Sequence, residues 1–221
     1  MQSFSQSNRL FFLIYGFFIL IGGILQLFFS QTELFLFFNS HYSQPADFFF
    51  KYWTNLGDGL FAVAVAIALL LFRNYKEALL MGVVYVVSSL LAQALKRFVF
   101  AEIARPSEFF KGKPIELHFT DGVEILCCNS FPSGHTATAF GIFCLLFFMD
   151  ANKLRGILCL SAAFLVAYSR IYLAEHFFVD VYVGSLIGVL TAIFFWLWFE
   201  KLPEKKWHSK AIFNKNKPTH V

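Results

Sequence analysis

The sequence predicts an all-α integral membrane protein: six transmembrane helices in one bundle, with short interfacial helices on the outer side. Three observations carry that prediction. Hydrophobic residues make up 58% of the 221 and charged residues only 14%, with a mean hydropathy of +0.63, which is more apolar than a soluble globule sustains. Six apolar stretches divide the chain, each near the ~20 residues a helix needs to cross a hydrocarbon core of ~30 Å. Two aromatic runs between them are too short to span.

The first stretch, Leu10–Phe29, follows a single early positive charge, Arg9, and no small-residue cleavage site succeeds it. Those flanks fit a retained helix rather than a signal peptide. Leu34–Phe38 and Phe48–Trp53 are the short aromatic runs, which suit the membrane interface. The second apolar stretch, Leu56–Phe72, is the weakest, because Asp58 stands near its start. Ala78–Leu95, Phe131–Met149, Gly156–Leu173 and Phe177–Phe199 complete the six. Together they form one membrane-embedded domain over residues 1–221, with a basic tail from about residue 201.

Orientation follows from the basic residues. Placing both termini in the cytoplasm puts Arg9, Arg73, Lys76, Lys153, Arg155, Lys201, Lys205, Lys206, Lys210, Lys215 and Lys217 inside, eleven of the eighteen Lys and Arg. Segments 30–55 and 96–130 and the turn Ala174–His176 then face outward. Lys51, Lys111 and Lys113 are the only outward cations away from the suspected site. The net charge of +4 comes from the tail and favours anionic lipid headgroups over nucleic acid. The 32 phenylalanines are read as lipid-facing bulk. Cys144 and Cys159 fall inside apolar stretches as small core residues. Cys127 and Cys128 are adjacent, which suits neither a disulfide with each other nor a zinc site.

Three runs carry chemistry. Ser169-Arg170, then His176 and Asp180, places an arginine, a histidine and an aspartate at a membrane surface, where polar groups are expensive. On a helix, His176 and Asp180 would share one face, a turn apart. A carboxylate there holds an imidazole in one tautomer and stabilises its cation, as a nucleophilic histidine requires. Arg170 supplies a fork for phosphate oxygens. In Phe131-Pro132-Ser133-Gly134-His135, proline stands at a helix start, and Ser133 and Gly134 offer backbone N–H groups and a hydroxyl at the positive end of a helix. His135 beside that pocket could protonate a leaving oxygen. Read alone, the run could equally be an N-cap followed by an interfacial histidine; the His176 run favours the site. Lys96 and Arg97 close the third stretch, where snorkelling is the ordinary alternative. Arg105 before Pro106 is held extended, as in a loop reaching over a pocket. Glu102, Glu108, Glu116, Asp121 and Glu124 read as solvated loop acids, and Glu175 beside the nucleophile is left open.

These runs resemble the signature of the type 2 phosphatidic acid phosphatase superfamily. That signature is a lysine, six residues and Arg-Pro; then Pro-Ser-Gly-His; then Ser-Arg, five residues, His, three residues and Asp. The second and third elements match at every fixed position, and the Gly57-Asp58-Gly59 turn is similar to one in bacterial members. The first departs, since Lys96 precedes Arg105 by nine positions where the family has seven, and Arg97, at eight, is not lysine.

The resemblance implies a lipid phosphate or diphosphate phosphatase. His176 would be the nucleophile, forming a phosphohistidine, with Asp180 orienting it and His135 as general acid and base. Lys96, Arg105, Ser133, Gly134 and Arg170 would hold the phosphoryl oxygens. No metal and no cofactor is expected. The expected partners are a lipid phosphate substrate and the bilayer, with no nucleic acid and no obligate protein partner. Implied substrates are undecaprenyl diphosphate, placed first on family frequency, then phosphatidylglycerophosphate, phosphatidic acid and lipid A phosphates. The implied location is the inner (cytoplasmic) membrane with the site on its outer face. A non-catalytic lipid-phosphate binder or transporter is the second reading; retention of His135, His176 and Asp180 speaks against it. A haloperoxidase is the third, and six spans speak against that.

Overall fold

The computed structural model describes residues 6–150, 152–203, 210 and 212–213. Every regular element among them is helical: α1 (Gln6–Phe28), α2 (Gln31–Asn39), α3 (Gln44–Trp53), α4 (Gly59–Phe72), α5 (Tyr75–Ala94), α6 (Pro106–Phe109), α7 (Gly134–Met149), α8 (Lys153–Tyr172) and α9 (Phe178–Lys201). A 3-10 turn, Thr54–Gly57, joins α3 to α4.

Local chemistry sets most boundaries. The side chains of Ser30, Ser43, Asp58, Asn74, Ser133 and Asn152 each accept a first-turn N–H, so six helices begin on a polar cap. Ser30 and Glu33 close a reciprocal capping box, fixing the entry to α2. That cap divides the first two apolar runs into separate helices.

Among the described residues, four helices are long and apolar enough to cross a membrane: Arg9–Phe28, Tyr75–Val99, Lys153–Tyr172 and Phe178–Lys201. The pair Gln44–Gly57 and Gly59–Phe72, bent by 58°, would make a fifth if read as one broken span. Helix α7 has 16 residues, a length of about 24 Å at ~1.5 Å per residue, short of a ~30 Å core. Of the short aromatic runs, Leu34–Phe38 lies in α2 and Phe48–Trp53 in α3. Both helices turn residues inward, with Leu34, Phe35 and Phe50 buried.

The short helix is the centre of the molecule. Helix α7 packs against α9, α8, α5 and α4, and ten of its sixteen residues are buried. Lipid tails are as apolar as leucine, so close approach and dispersion must supply what water exclusion supplies elsewhere. Gly184 and Gly188 of α9 allow that approach. A Cβ on Gly188 would lie 2.3 Å from the Ala137 carbonyl, and one on Gly184 2.6 Å from that of Ser133. Helix α1 lies outside this core, held to it by Phe11 stacked on Phe147 at 4.4 Å and Phe18 against Phe164 at 4.5 Å. Its Leu13, Phe17, Leu20 and Leu27 remain exposed, as a lipid-facing surface requires.

Basic groups collect at one end. Arg73 pairs with Glu77 and reaches the Met149 carbonyl, and Arg155 pairs with Asp150. The tail joins them there, since Tyr75 donates to the Lys210 carbonyl. Tail residues Lys205, Lys206, Lys215 and Lys217 lie outside the described residues.

Candidate active site

The three runs meet at the opposite end, where α5 and α8 finish and α7 and α9 begin. Lys96, Arg105, Ser133, Arg170, His176 and Asp180 are all buried there, while Gly134 and His135 are partly exposed.

The third stretch reaches the site through a widened turn. Phe100 N–H bonds the Leu95 carbonyl at 2.8 Å, an i to i+5 pairing that makes Leu95–Val99 a π turn. Such a turn holds one more residue than an α turn, which takes up part of the long spacing before Arg105. Glu102, at φ +68, redirects the chain after it. Lys96 thereby points inward, its Nζ donating to the Asn129 carbonyl at 2.9 Å, while Arg97 is exposed.

Arg105 is extended as expected ahead of Pro106, with φ −77 and ψ 166. Its backbone N–H and Nε donate to the carbonyls of Cys127 and Cys128 at 2.8 and 2.9 Å. The cysteine pair thus serves the site through its backbone, with both side chains exposed and no disulfide between them. Arg105 Nη1 also contacts the Glu175 carbonyl, at 3.2 Å, and the Glu175 carboxylate.

Arg170 closes α8. Its Nη1 donates to Thr54 Oγ1 at 2.7 Å and its Nη2 lies 3.4 Å from Glu175 Oε2. Its Nε is buried with no acceptor among the described residues. A buried guanidinium N–H left unmatched is costly, and an incoming phosphoryl oxygen would satisfy it. Ala174, at φ +56, folds the chain back so that the N–H groups of Glu175 and His176 both bond the Arg170 carbonyl at 3.0 Å.

His176 and Asp180 do meet, but not as two residues on one helical face. His176 precedes α9, and Asp180 is the third residue of that helix. The Asp180 Oδ2 accepts the Phe177 N–H at 2.9 Å and His176 Nδ1 at 3.2 Å. The contact is therefore made by a helix start folding back on its own cap. The carboxylate only accepts, so Nδ1 carries the ring proton and Nε2 presents a lone pair. Burial, then the charges of Arg105, Lys96 and Arg170, hold the His176 ring well below the ordinary histidine range, so it is neutral. Burial pushes the Glu175 carboxyl up, against the pull of Arg170 and Arg105.

The Pro-Ser-Gly-His run also differs in detail from its expected form. Helix α7 starts at Gly134, so Pro132 stands before the cap and not in the first turn. Ser133 is the cap, its Oγ accepting from Thr136 N–H at 3.4 Å and Thr136 Oγ1 at 2.9 Å. The Ser133 N–H is already bonded to the Asp180 carbonyl at 3.0 Å, so it is not available to a phosphate. The free first-turn amides are those of Gly134 and His135. His135 Nε2 lies 3.9 Å from Asp58 Oδ2, across the turn that precedes α4. Gly57 makes that proximity possible, since a Cβ there would stand 2.6 Å from the His135 carbonyl.

Three participants were not legible as such in the sequence. Ser130 is fully buried; its Oγ donates to Asp180 Oδ2 and its N–H bonds the Ile103 carbonyl at 3.0 Å. Thr54 anchors Arg170, and Glu175 bridges the two arginines. Glu175 offered a signal, an acid in an otherwise apolar turn; Ser130 and Thr54 offered none. The loop acids Glu102, Glu108, Glu116, Asp121 and Glu124 are all exposed. Among the described residues, no group of three or more His, Cys, Asp or Glu could hold a metal ion.

The chain is similar to several known proteins. A family model described as the PAP2 superfamily matches residues 77–204. The chain is 48% identical over 69 residues to the bacitracin transport permease protein BcrC of Bacillus licheniformis, a match covering 31% of this chain and only 33% of that relative. It is 28% identical over 189 residues to an undecaprenyl-diphosphatase of Sulfolobus acidocaldarius, covering 81% of this chain and 83% of the other. Among solved structures, Aquifex aeolicus LpxE superposes with a TM-score of 0.67 at 30% identity, over 75% of this chain and 94% of LpxE. A transmembrane PAP2 type phosphatidylglycerolphosphate phosphatase from Bacillus subtilis gives 0.64 at 22% identity, over 87% and 97%, a likeness of fold.

Proposed function

Because this chain belongs to the PAP2 superfamily, we propose that it is a membrane lipid phosphate phosphatase working through a phosphohistidine on His176. The observation that carries the proposal is the His176–Asp180 contact set among Lys96, Arg105 and Arg170. A neutral imidazole with its Nε2 lone pair free faces two guanidinium groups, whose charge no proton transfer can remove, beside the Lys96 ammonium.

The reaction divides into two displacements. His176 Nε2 attacks phosphorus as the bond to the lipid oxygen or leaving phosphate breaks, and His135 gives that oxygen its proton. His135 then takes a proton from water, whose oxygen attacks the phosphohistidine, and His176 leaves as neutral imidazole with inorganic phosphate. Asp180 offsets the positive charge that grows on the His176 ring in the first step. Lys96, Arg105, Arg170, the Gly134 N–H and the Ser133 hydroxyl stabilise the charge on the transferring oxygens. These fixed cations supply the charge, so the scheme uses no divalent ion.

Six spans complete the reading, with α3–α4 as one broken span and α7 as a short central one. The basic end carrying Arg73, Arg155 and Lys210 then lies in the cytoplasm, with the site at the outer face of the inner membrane. Helix α2 would lie in the outer interface, and α3 would enter the broken span from it. Undecaprenyl diphosphate is the substrate placed first, supported by the undecaprenyl-diphosphatase relative; phosphatidylglycerophosphate, phosphatidic acid and lipid A phosphates follow. Purified protein in detergent should release phosphate from at least one of these lipids, in excess EDTA and with inhibition by vanadate. No turnover of any of them, or turnover lost to EDTA and restored by a divalent ion, would overturn the scheme.

A further inference from the structure

The phosphate cradle contains a negative charge of its own. Glu175 is buried, and its Oε2 contacts Arg105 Nη1 and lies 3.4 Å from Arg170 Nη2. The same two guanidinium groups are those that would receive the phosphoryl oxygens. Glu175 takes one nitrogen from each and leaves Arg170 Nε without an acceptor. A carboxylate in that position does two opposed things. It offsets the repulsion of two buried cations, and it repels any anion that approaches them.

We propose that Glu175 is the resident counter-charge of the anion site, weakening its hold on phosphate so that the product can leave. This rests on the phosphatase reading for its purpose, though not for the binding effect itself. Lys96, Arg105 and Arg170 give three positive charges against Asp180 and Glu175, with His176 neutral. The cradle as built carries one net positive charge; without Glu175 it would carry two. An unrestrained cluster would bind inorganic phosphate tightly and stall after each turnover. Glu175 acts on phosphate through the arginines and by repulsion, and it donates nothing to the reacting atoms.

The sign of the effect separates this role from a structural one. Glu175→Gln keeps the shape and one oxygen acceptor but removes the charge. If the residue restrains anion binding, inorganic phosphate and vanadate should bind the variant about tenfold more tightly or better, and KM should fall in the same direction. If Glu175 merely holds the arginines in place, its loss should weaken binding and raise KM. Calorimetric titration with inorganic phosphate reads the affinity without any turnover. A wild type that binds phosphate more weakly than the variant supports the counter-charge even if no lipid tested is hydrolysed. Glu175→Asp, which keeps the charge, should stay within a few-fold of wild type. Should the Gln variant be lost in purification, Glu175→Ala offers the same test in crude membranes, where added phosphate should raise its melting temperature more than that of wild type. Unchanged or weakened phosphate binding in the charge-free variants would overturn the proposal.

Discussion

Replacing Lys96 and its neighbour Arg97 separately by alanine tests the irregular first run directly. Lys96 Nζ is buried and 2.9 Å from the Asn129 carbonyl, whereas Arg97 is exposed to its surroundings. Losing the bond to Asn129 removes one charge-assisted contact, about 1.5–3 kcal/mol of stability at most. Losing a preorganised cation from a dry site is a different matter, typically ~10²–10³ in turnover, or about 2.7–4 kcal/mol of the barrier. Arg97, screened by water and salt, should cost under about fivefold. Lys96→Ala should therefore lose at least about tenfold more kcat/KM than Arg97→Ala. The assay is phosphate release by each purified variant on the lipid that wild type hydrolyses fastest, with melting curves run in parallel. A folded Lys96→Ala within about threefold of wild type, or a larger loss for Arg97→Ala, would refute the assignment.

Other expectations follow from the same geometry. His176→Ala should abolish turnover in a folded protein, and in wild type phosphate trapped during turnover should be found on that side chain. Because His176 is held below the ordinary value of about 6.5, its acid limb in kcat/KM should lie below that pH; a limb above it would contradict the neutral nucleophile. Ser130→Ala should lower kcat by roughly tenfold, as for a group that holds the carboxylate orienting the nucleophile, and leave vanadate inhibition unchanged, since Ser130 touches Asp180 and not the cradle. An equal loss in vanadate affinity would mean general collapse of the site. Gly184→Ala places a methyl 2.6 Å from the Ser133 carbonyl, so it should lower stability by about 1–3 kcal/mol and turnover with it. Gly82→Ala meets nothing within 4 Å and is the silent control; equal behaviour of the two would refute the close packing of α7 on α9.

Composition and periodic apolar stretches determined by themselves that the chain is helical and membrane-embedded, because a bilayer forces backbone polar groups to pair within helices. The residue types of the Lys96, Arg105, His135, Arg170, His176 and Asp180 set were legible too, since polar groups in apolar surroundings stand out against their cost. Tertiary structure decided how they meet. Spacing suggested that His176 and Asp180 share a helical face; in the fold His176 precedes α9 and Asp180 reaches back as a capping carboxylate. The π turn at Leu95–Val99 turned Lys96 inward and left Arg97 exposed, which a count of residues could not do. Ser133's amide went to the Asp180 carbonyl because α7 and α9 begin side by side, a contact between residues 47 positions apart. Ser130 and Thr54 escaped notice, and the role of Glu175 was left open, for the same reason. Their partners lie far along the chain or across a tight turn, and a hydrogen bond or ion pair depends on position in space, which sequence separation alone does not supply.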